Sequence, residues 1–413
     1  MSEQPFGALQ DLRVLDLTVM MAGPFGTQIL ADHGAEVIKI ESPAGDVTRA
    51  GGPFRPDDKQ RTHGGYFQSL NRNKKSLCLD LKSPEGAEVF RRLVRDADVV
   101  AENFRTGVMD RLGLSYEQLR QINPRLVYAC VRGFGDPRTG ASPYVEWPAF
   151  DVVAQAMGGI VAITGPDART PTKIGPGIGD LVPGMNMAFG ILAAVHRVRL
   201  TGVGQLVDVA MVDSVLALCE RTVYQWSVEG AVPGPEGNNH PLLSPFGFFP
   251  AIDGLVALAA PQDELFKLLC KLLECPQLSV DPRFADAKSR RQHRNELTEE
   301  LSARTSKLTK AQLAECLGGR VPFGPVMNIG DIVGDSHFRA REMLVEVQQP
   351  GSESPLTIAG VPVRMTVTPG RVRARGPYLG EHTRLILEQA GWAAVEIDGL
   401  ATRGIIKIKE SDA

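Results

Sequence analysis

The sequence is poor in aromatic residues and in histidine, and it has no strong excess of one charge. Aromatic residues make up 6% of the 413 residues, histidines number seven, and 45 Lys and Arg stand against 48 Asp and Glu. A protein that binds a nucleic acid polymer needs a basic face, so the balanced charge argues against that class. The length suggests two or three domains, because one core rarely exceeds roughly 250–300 residues.

Signals for export, membranes and metals are also missing. Met1–Gln10 lacks a basic segment followed by an apolar run, so we expect no secretory signal peptide there. The longest apolar stretches, Met185–Val195 and Val207–Leu218, are short or interrupted, so we expect no membrane association. The six scattered cysteines form no CxxC pair and are expected to be buried, reduced thiols of a cytoplasmic protein. The histidines show no metal-ligand spacing, and we expect no metal site.

Glycine is abundant, and strand and helix signals alternate over the first 130 residues, with a further strand predicted after two more helices. Apolar, β-branched runs predict strands, and the intervening segments predict helices, one of which begins with Ser83 as N-cap and Pro84 at its first position. The predicted strands are 13–17, 37–41, 77–81, 98–101, 126–131 and 206–210. This alternation predicts an α/β fold with a large Rossmann-like domain around a parallel sheet.

The second half of the chain changes in composition. Residues 233–250 are rich in proline and glycine, and a hairpin at 246–260 and three helices at 262–273, 289–305 and 309–317 follow. We therefore predict a large domain beginning with 1–228, a linker and smaller α+β domain over 229–322, and a return segment over 323–413 that completes the large domain.

Common cofactor fingerprints do not occur. After the first predicted strand the sequence is TVMMAGP, residues 18–24, rather than the GxGxxG of dinucleotide-binding proteins. The patterns GxxxxGK[ST], HExxH and GxSxG are absent as well. Nicotinamide, nucleoside triphosphate and metal chemistry are therefore disfavoured.

One segment has the features of a reactive site. Gly175, Gly177 and Gly179 alternate before Asp180, and Pro183 suits the first position of the long apolar helix that follows. We expect Asp180 to precede this helix, whose N-terminus would favour an ionised carboxylate, as covalent catalysis by a carboxylate requires. The alternative is that Asp180 only caps the helix.

Long blocks of sequence resemble the class III CoA-transferases, the CaiB/BaiF family. They are LRVLDLTVMMAGPFGTQILADHGAEVIKIESPAGDVTR (12–49), NRNKKSLCLDLKSPEG (71–86), DADVVAENFRTG (96–107), NPRLVYACVRGFG (123–135), FDVVAQAMGG (150–159), GILAAVHRVRLTGVGQLVDVAMVDSVL (190–216) and GEHTRLIL (380–387). The resemblance runs from about Leu12 to Leu387. It implies transfer of CoA from an acyl-CoA to a free carboxylic acid, by an interlocked homodimer and without a tightly bound cofactor.

The resemblance also assigns roles to residues. Asp180 takes the position of the family's nucleophile, which passes through aspartyl anhydride and aspartyl-CoA thioester intermediates. Residues expected to bind CoA, by resemblance or because its phosphates require cations, are Ala22, Arg72, Lys74, Lys75, Asn103, Phe104, Arg105, Arg111 and Arg132. Residues expected to line the acyl pocket are Met20, Met21, Gly177 and Gly179.

Three departures from relatives bear on specificity. Val19 and Met21 replace a polar His and Gln of formyl-CoA transferase, so the wall favours a larger or more hydrophobic acyl group. The glycine-rich loop of that enzyme is missing, and residues 238–241, NNHP, stand in the linker instead. Thr106 replaces a common proline. These differences argue against formyl-CoA:oxalate specificity.

Two rival functions stay open. α-Methylacyl-CoA racemase shares the fold but has a histidine base where this chain has Phe150, and glycines where it has Leu181-Val182-Pro183. Phe150 cannot accept a proton, which favours transfer over racemisation. A catalytically silent CoA-binding homologue is the other rival, and the retained Asp180 argues against it.

Overall fold

Six apolar runs of the first 210 residues and one C-terminal strand form a seven-stranded sheet in the computed structural model, which describes residues 7–409. The strand order is β12-β3-β2-β1-β4-β5-β6, and every pair is parallel except β12 with β3. The strands are β1 (Arg13–Asp16), β2 (Glu36–Glu41), β3 (Lys75–Leu79), β4 (Val99–Glu102), β5 (Val127–Arg132), β6 (Leu206–Ala210) and β12 (Ile406–Lys407). Strands β4 and β5 are buried along their whole length, as expected when helices cover both faces of a parallel sheet.

Helices connect and cover this sheet. They are α1 (Ala22–Asp32), α2 (Gly65–Asn71), α3 (Pro84–Val94), α4 (Val108–Arg111), α5 (Tyr116–Ile122), α6 (Asp151–Met157), α7 (Ile178–Thr201), α8 (Met211–Leu218) and α9 (Glu220–Glu229). The predicted start of α3 is confirmed, since the Ser83 hydroxyl accepts from the Gly86 amide at 3.4 Å and Pro84 begins the helix. Buried side chains of the sheet, such as Leu15, Val100 and Tyr128, pack with Phe90 of α3 and Leu119 of α5 in a hydrophobic core.

The described residues divide into two compact units. The larger contains residues up to 160, 174–224 and 337 onward, and the smaller contains 161–173 and 225–336. The smaller unit therefore includes 161–173 and 323–336, which the predicted ranges assigned to the large domain and the return segment. Of the predicted N-terminal segment, Met1–Phe6 lies outside the described residues.

The smaller unit is an antiparallel sheet packed on helices. Its strands are β7 (Phe246–Ala251), β8 (Gly254–Ala259) and β9 (Phe323–Pro325), and its helices are α10 (Asp263–Leu272), α11 (Ala287–Gln292), α12 (Arg294–Thr305), α13 (Lys310–Leu317) and α14 (Ile329–Gly334). One face of the hairpin, with Phe249, Val256 and Leu258, packs into the core of this unit. Together the two units confirm the predicted class, a large parallel-sheet domain and a smaller α+β domain.

The C-terminal segment returns to the large unit. It contains α15 (Ser336–Ala340), the antiparallel pair β10 (Leu344–Val347) and β11 (Leu356–Ala359), α16 (Thr383–Gln389) and α17 (Ala394–Thr402), before β12 adds to the edge of the main sheet. The six cysteines are free thiols, and five of them are buried.

Helix α7 begins earlier than predicted. It starts at Ile178, so Pro183 lies inside the helix rather than at its first position, where it removes the amide that would bond to the Gly179 carbonyl. Helix α7 crosses α1 at close range, because a Cβ on Gly184 would lie 2.4 Å from the Ala22 carbonyl oxygen. By length and composition α7 is also apolar enough to span a membrane, although the separate apolar runs seemed too short. A buried core helix passes the same test, so this is weak evidence for a membrane.

Candidate active site

A cavity of about 450 Å³ opens at the carboxyl ends of β1, β4 and β5. In a parallel α/β sheet the strand order reverses at such a point, and the loops separate to leave a crevice for ligands. The cavity brings together nine of the predicted site residues: Met20, Met21, Ala22, Asn103, Phe104, Arg105, Arg111, Arg132 and Asp180. These residues come from four separate stretches of the chain.

The turn after β1 forms one wall of the cavity. The Asn103 side chain binds both backbone groups of Val19, accepting from its amide and donating to its carbonyl, each at 2.8 Å. Met20 lies in the left-handed region with φ of 65°, a conformation that side chains other than glycine seldom adopt. The Asn103 clamp thus holds a strained turn that presents Met20 and Met21 to the cavity.

Asp180 lies on the opposite side, in the first turn of α7. Gly177 is the N-cap, and the Asp180 amide donates to the Gly177 carbonyl at 3.0 Å. The Gly179 amide donates to Asp151 at 2.8 Å, and a Cβ on Gly179 would lie only 2.7 Å from the Asp151 carbonyl oxygen. Glycine is therefore required at 179 by close approach to α6, while Gly177 borders the Met21 sulfur.

The Asp180 carboxyl group is partly buried and has no partner. Among residues 7–409, no side chain or amide donates a hydrogen bond to it, and no cation pairs with it. Burial and the nearby Asp151 carboxylate raise the pKa of Asp180 to about 6. We expected the helix N-terminus to favour the ionised form, whereas burial and the negative neighbour shift the pKa in the opposite direction. At neutral pH the group is still mainly ionised.

The cavity contains two kinds of arginine. Arg105 and Arg111 are exposed, and within the described part of the chain their guanidinium groups make no hydrogen bond or ion pair. Arg132 is buried and pairs with both Glu102 and Asp136. Only the first two have charge available for the phosphates of a ligand.

The structure does not place the three predicted cations of residues 72–75 in this cavity. Arg72 donates to Asp32 at 2.7 Å, Lys74 to Asp16 at 2.9 Å, and Lys75 to Glu36 at 2.5 Å. Arg72 and Lys74 are buried within the large unit, and Lys75 is one-third exposed. Their charges are already matched by carboxylates.

Sequence reasoning gave no site role to three residues near Asp180. Asp151 affects its pKa directly and is held by the Gln155 amide at 2.9 Å. The pKa of Tyr66 is raised by burial and by the charges of Asp180 and Asp46. Trp147 lines the cavity and packs on Tyr144 with 4.7 Å between ring centroids. Of these three residues, only Trp147 could have been noticed in the sequence, as a tryptophan in a polar stretch that contains proline.

No metal site is evident in the described ranges. Among residues 7–409, no group of three or more His, Cys, Asp or Glu side chains is arranged to hold a metal ion. The groups in the cavity with affinity for a ligand are the free arginines, the apolar methionine wall and the unpartnered carboxylate.

A protein-family comparison decides the relationship. The model of "CoA-transferase family III" matches residues 9–383. This chain belongs to that family. The resemblance seen in the separate sequence blocks is thereby confirmed over nearly the whole chain.

Individual family members extend the comparison. The succinyl-CoA:mesaconate CoA-transferase of Haloarcula hispanica is 49% identical over 93% of this chain and 97% of its own. The acetyl-CoA:oxalate CoA-transferase of Acetobacter aceti is 40% identical over 86% of this chain and 90% of its own. A CAIB/BAIF family protein from Brucella suis has a similar crystal structure, with a TM-score of 0.83 and 35% identity over 93% of this chain and all of that one.

Proposed function

We propose that this chain transfers CoA from an acyl-CoA to a free carboxylic acid, with Asp180 as the nucleophile. The observation that carries the proposal is the position of Asp180, an unpaired carboxylate in a cavity that also holds the unpaired Arg105 and Arg111. A thioester that entered with its phosphates on these arginines would bring its acyl end toward the carboxylate. The family and its named CoA-transferase members support the same reaction class.

The first half of the proposed reaction loads CoA onto the enzyme. An Asp180 oxygen attacks the thioester carbonyl carbon, the carbon–sulfur bond breaks, and CoA thiolate leaves a mixed anhydride of Asp180 and the acyl group. The thiolate then attacks the Asp180 carbonyl carbon of the anhydride. The donor acid departs as a carboxylate, and Asp180 remains as its CoA thioester.

The second half reverses these steps with a new acid. The acceptor carboxylate attacks the carbonyl carbon of the Asp180 thioester, and CoA thiolate leaves a second mixed anhydride. The thiolate then attacks the acceptor's carbonyl carbon in that anhydride. This step releases the new acyl-CoA and free Asp180. The thioester bond energy is conserved throughout, so CoA acts as a substrate and no further cofactor enters the balance. The apolar wall of Met20, Met21 and Met211 would limit water, which hydrolyses anhydrides.

We further propose that succinyl-CoA is the donor and a small dicarboxylic acid the acceptor. The support is the relative at 49% identity, which is named for succinyl-CoA and mesaconate. A methyl-branched, unsaturated acid would suit the methionine side chains at positions 20 and 21 better than oxalate, which has no carbon chain between its carboxyl groups.

Racemisation of an acyl-CoA is the second candidate. It needs a proton acceptor on each side of the α-carbon. Phe150, 64% exposed, cannot serve as one, and the Asp151 carboxylate is engaged by Gln155 and by the Gly179 amide. These contacts support transfer over racemisation.

A second copy of the chain is proposed as the partner, in the interlocked arrangement expected from the family resemblance. Helix α7 exposes Met185, Phe189, Leu192 and Leu200, and Phe189 is 73% exposed. Several large apolar side chains exposed along one helix are typical of an interface. A cytoplasmic location is proposed on the basis of the six free thiols.

The test is to incubate the protein with succinyl-CoA alone and measure its intact mass. We expect a covalent CoA adduct that disappears when mesaconate is added, and no adduct with Asp180→Asn. Asp213→Asn is the matched control, because Asp213 holds the same first-turn position in α8 but is exposed, and it should form the adduct normally. Full transfer by Asp180→Asn would refute the mechanism, and exchange of the α-proton without transfer would support racemisation.

A further inference from the structure

Glu102 and Arg132 end the adjacent strands β4 and β5, directly below the cavity. The side chain of Glu102 is fully buried, and that of Arg132 is 6% exposed. Their ion pair joins Glu102 Oε1 to Arg132 Nη2, and the Tyr128 hydroxyl donates to the same oxygen at 3.3 Å. The second terminal nitrogen of Arg132 pairs with Asp136. Two acidic side chains therefore occupy the guanidinium group before any ligand arrives.

The same two side chains hold both polar groups of one backbone residue. Glu102 Oε2 accepts from the Phe104 amide at 2.7 Å, and Arg132 Nε donates to the Phe104 carbonyl at 3.4 Å. Phe104 thus lies between the members of the ion pair. Its neighbours are Asn103, which clamps Val19, and Arg105, one of the two free cations of the cavity.

A continuous set of contacts links this pair to the acyl wall. Glu102 and Arg132 position the Phe104 backbone, the adjacent Asn103 side chain binds both backbone groups of Val19, and the following residues Met20 and Met21 face the cavity. Met20 is in the strained left-handed conformation, so this turn depends on external contacts to keep its shape. A shift at Phe104 would pass to the surface that faces the thioester.

We propose that Glu102 and Arg132 are positioning residues for the acyl-CoA cavity, and that Arg132 acts through the Phe104 turn rather than as a ligand of the CoA phosphates. This assigns Arg132 a different role from Arg105 and Arg111, although all three border the cavity. This positioning role rests on the proposed transfer reaction only where the experiments below measure rates.

A charge-conserving variant of Arg132, together with a neutral variant of Glu102, separates the two possible roles of Arg132. A lysine at 132 keeps the positive charge but cannot bind Glu102, Asp136 and the Phe104 carbonyl together, because it lacks the planar fork of the guanidinium. Arg132→Lys and Glu102→Gln should each lower kcat/KM by about tenfold to a hundredfold, as misplacement of a binding surface does. Arg95→Lys, the matched control, should stay close to wild type, because Arg95 is exposed at the end of α3 and does not line the cavity.

A truncated thioester supplies the decisive comparison. With succinyl-pantetheine, which lacks the nucleotide and its phosphates, Arg132→Lys and Glu102→Gln should lose the same factor as with succinyl-CoA. Arg111→Met should lose activity with succinyl-CoA and very little with succinyl-pantetheine. If the defect of Arg132→Lys disappears with the truncated substrate, Arg132 binds the nucleotide part and the proposal is wrong.

Binding of free CoA tests the proposal without turnover. Calorimetric titration at low and high salt should show that Arg111→Met weakens the salt dependence of Kd, whereas Arg132→Met keeps the wild-type salt dependence. A weakened salt dependence in Arg132→Met would overturn the proposal. A wild-type protein that binds CoA but transfers none would refute the proposed function alone, and these titrations would still decide the role of Arg132. If Arg132→Met unfolds, Arg132→Gln takes its place, because its side-chain amide can still donate to Glu102 or to the Phe104 carbonyl, and the same wild-type salt dependence is expected.

Discussion

Asp16 and Asp180 are two carboxylates of the large unit whose surroundings shift their pKa values in opposite directions. Asp16 is fully buried, and its burial would raise its pKa, but Lys74, Lys39 and the Thr18 hydroxyl more than reverse this and lower it. Asp180 is less buried, yet it has no cation, and burial together with Asp151 raises its pKa to about 6. In this comparison the partners of a carboxylate, more than its burial, determine the direction in which its pKa is shifted.

The cations around Asp16 and those of the Asp180 cavity also differ, because the former are paired and two of the latter are not. The Lys74 ammonium group lies within hydrogen-bonding distance of four acceptor oxygens, each 2.9 to 3.0 Å from the nitrogen. The acceptors are the Asp16 carboxylate, the Thr27 hydroxyl, the Asn71 side-chain oxygen and the Pro24 carbonyl. Arg105 and Arg111 face the cavity without a partner in the described part of the chain. A paired cation stabilises the fold, whereas an unpaired cation beside a cavity is available to a ligand.

The largest expected effect comes from breaking the buried pair. Lys74→Met should lower the free energy of unfolding by about 3–5 kcal/mol at pH 7, because it leaves the Asp16 carboxylate buried with fewer partners. Urea unfolding followed by circular dichroism would measure this. Wild-type stability combined with a raised KM for acyl-CoA would instead place Lys74 in the CoA site.

Removal of a free cation should weaken substrate binding and leave the stability of the fold unchanged. Arg111→Met and Arg105→Met should each raise KM for acyl-CoA by about tenfold, the range of one charge-assisted hydrogen bond, with unfolding free energy within about 0.5 kcal/mol of wild type. Steady-state kinetics and urea unfolding on the same preparations would test both parts. A variant that loses stability without any change in KM would contradict the division between the two regions.

The pH dependence tests the environment of Asp180. In the proposed mechanism only the ionised Asp180 carboxylate attacks the thioester, so we expect adduct formation to be half-maximal near pH 6 and to fall at lower pH. Asp151→Asn removes the negative neighbour, so the midpoint should move below pH 6. Since the raised pKa means that the folded state binds more protons than the unfolded state, this group lowers stability as pH rises from about 4 to 6.

Asp180→Asn should therefore remove that part of the pH dependence of unfolding. Rapid-quench mass spectrometry at several pH values would give the midpoint, and urea unfolding between pH 4 and 7 would give the stability term. An adduct rate that does not change between pH 5 and 7 would contradict the assignment.

The smallest effect is expected at the residue next to Lys74. Lys75 pairs with Glu36 at the surface, and such exposed pairs contribute little. Lys75→Met should change the free energy of unfolding by less than about 0.5 kcal/mol and leave KM for acyl-CoA within about twofold. Equal effects at 74 and 75 would remove the basis for treating the two regions as different.

Much of the fold followed from local sequence patterns. The strands of the parallel sheet were predicted to within two residues at nearly every end, and Ser83 with Pro84 marked the start of α3. The start of α7 was predicted five residues too late, at Pro183, because proline is a strong helix-start signal. The true first turn, around Gly177, depends on contact with Asp151 of α6, which no local pattern shows. The glycine-rich segment and the family resemblance identified Asp180 as a candidate. Its raised pKa was not predicted, because burial and the approach of Asp151 arise only in the folded chain.

By itself the sequence determined the order of strands and helices, the parallel sheet, and Asp180 as the candidate nucleophile, because these depend on residues close together in the chain or on long matching blocks. The tertiary structure alone decided which cations face the cavity and which are paired. Lys74 meets Asp16 across 58 positions, and Arg132 meets Glu102 across 30. Charge pairing is a short-range contact in space between residues distant in sequence, so no local pattern encodes it.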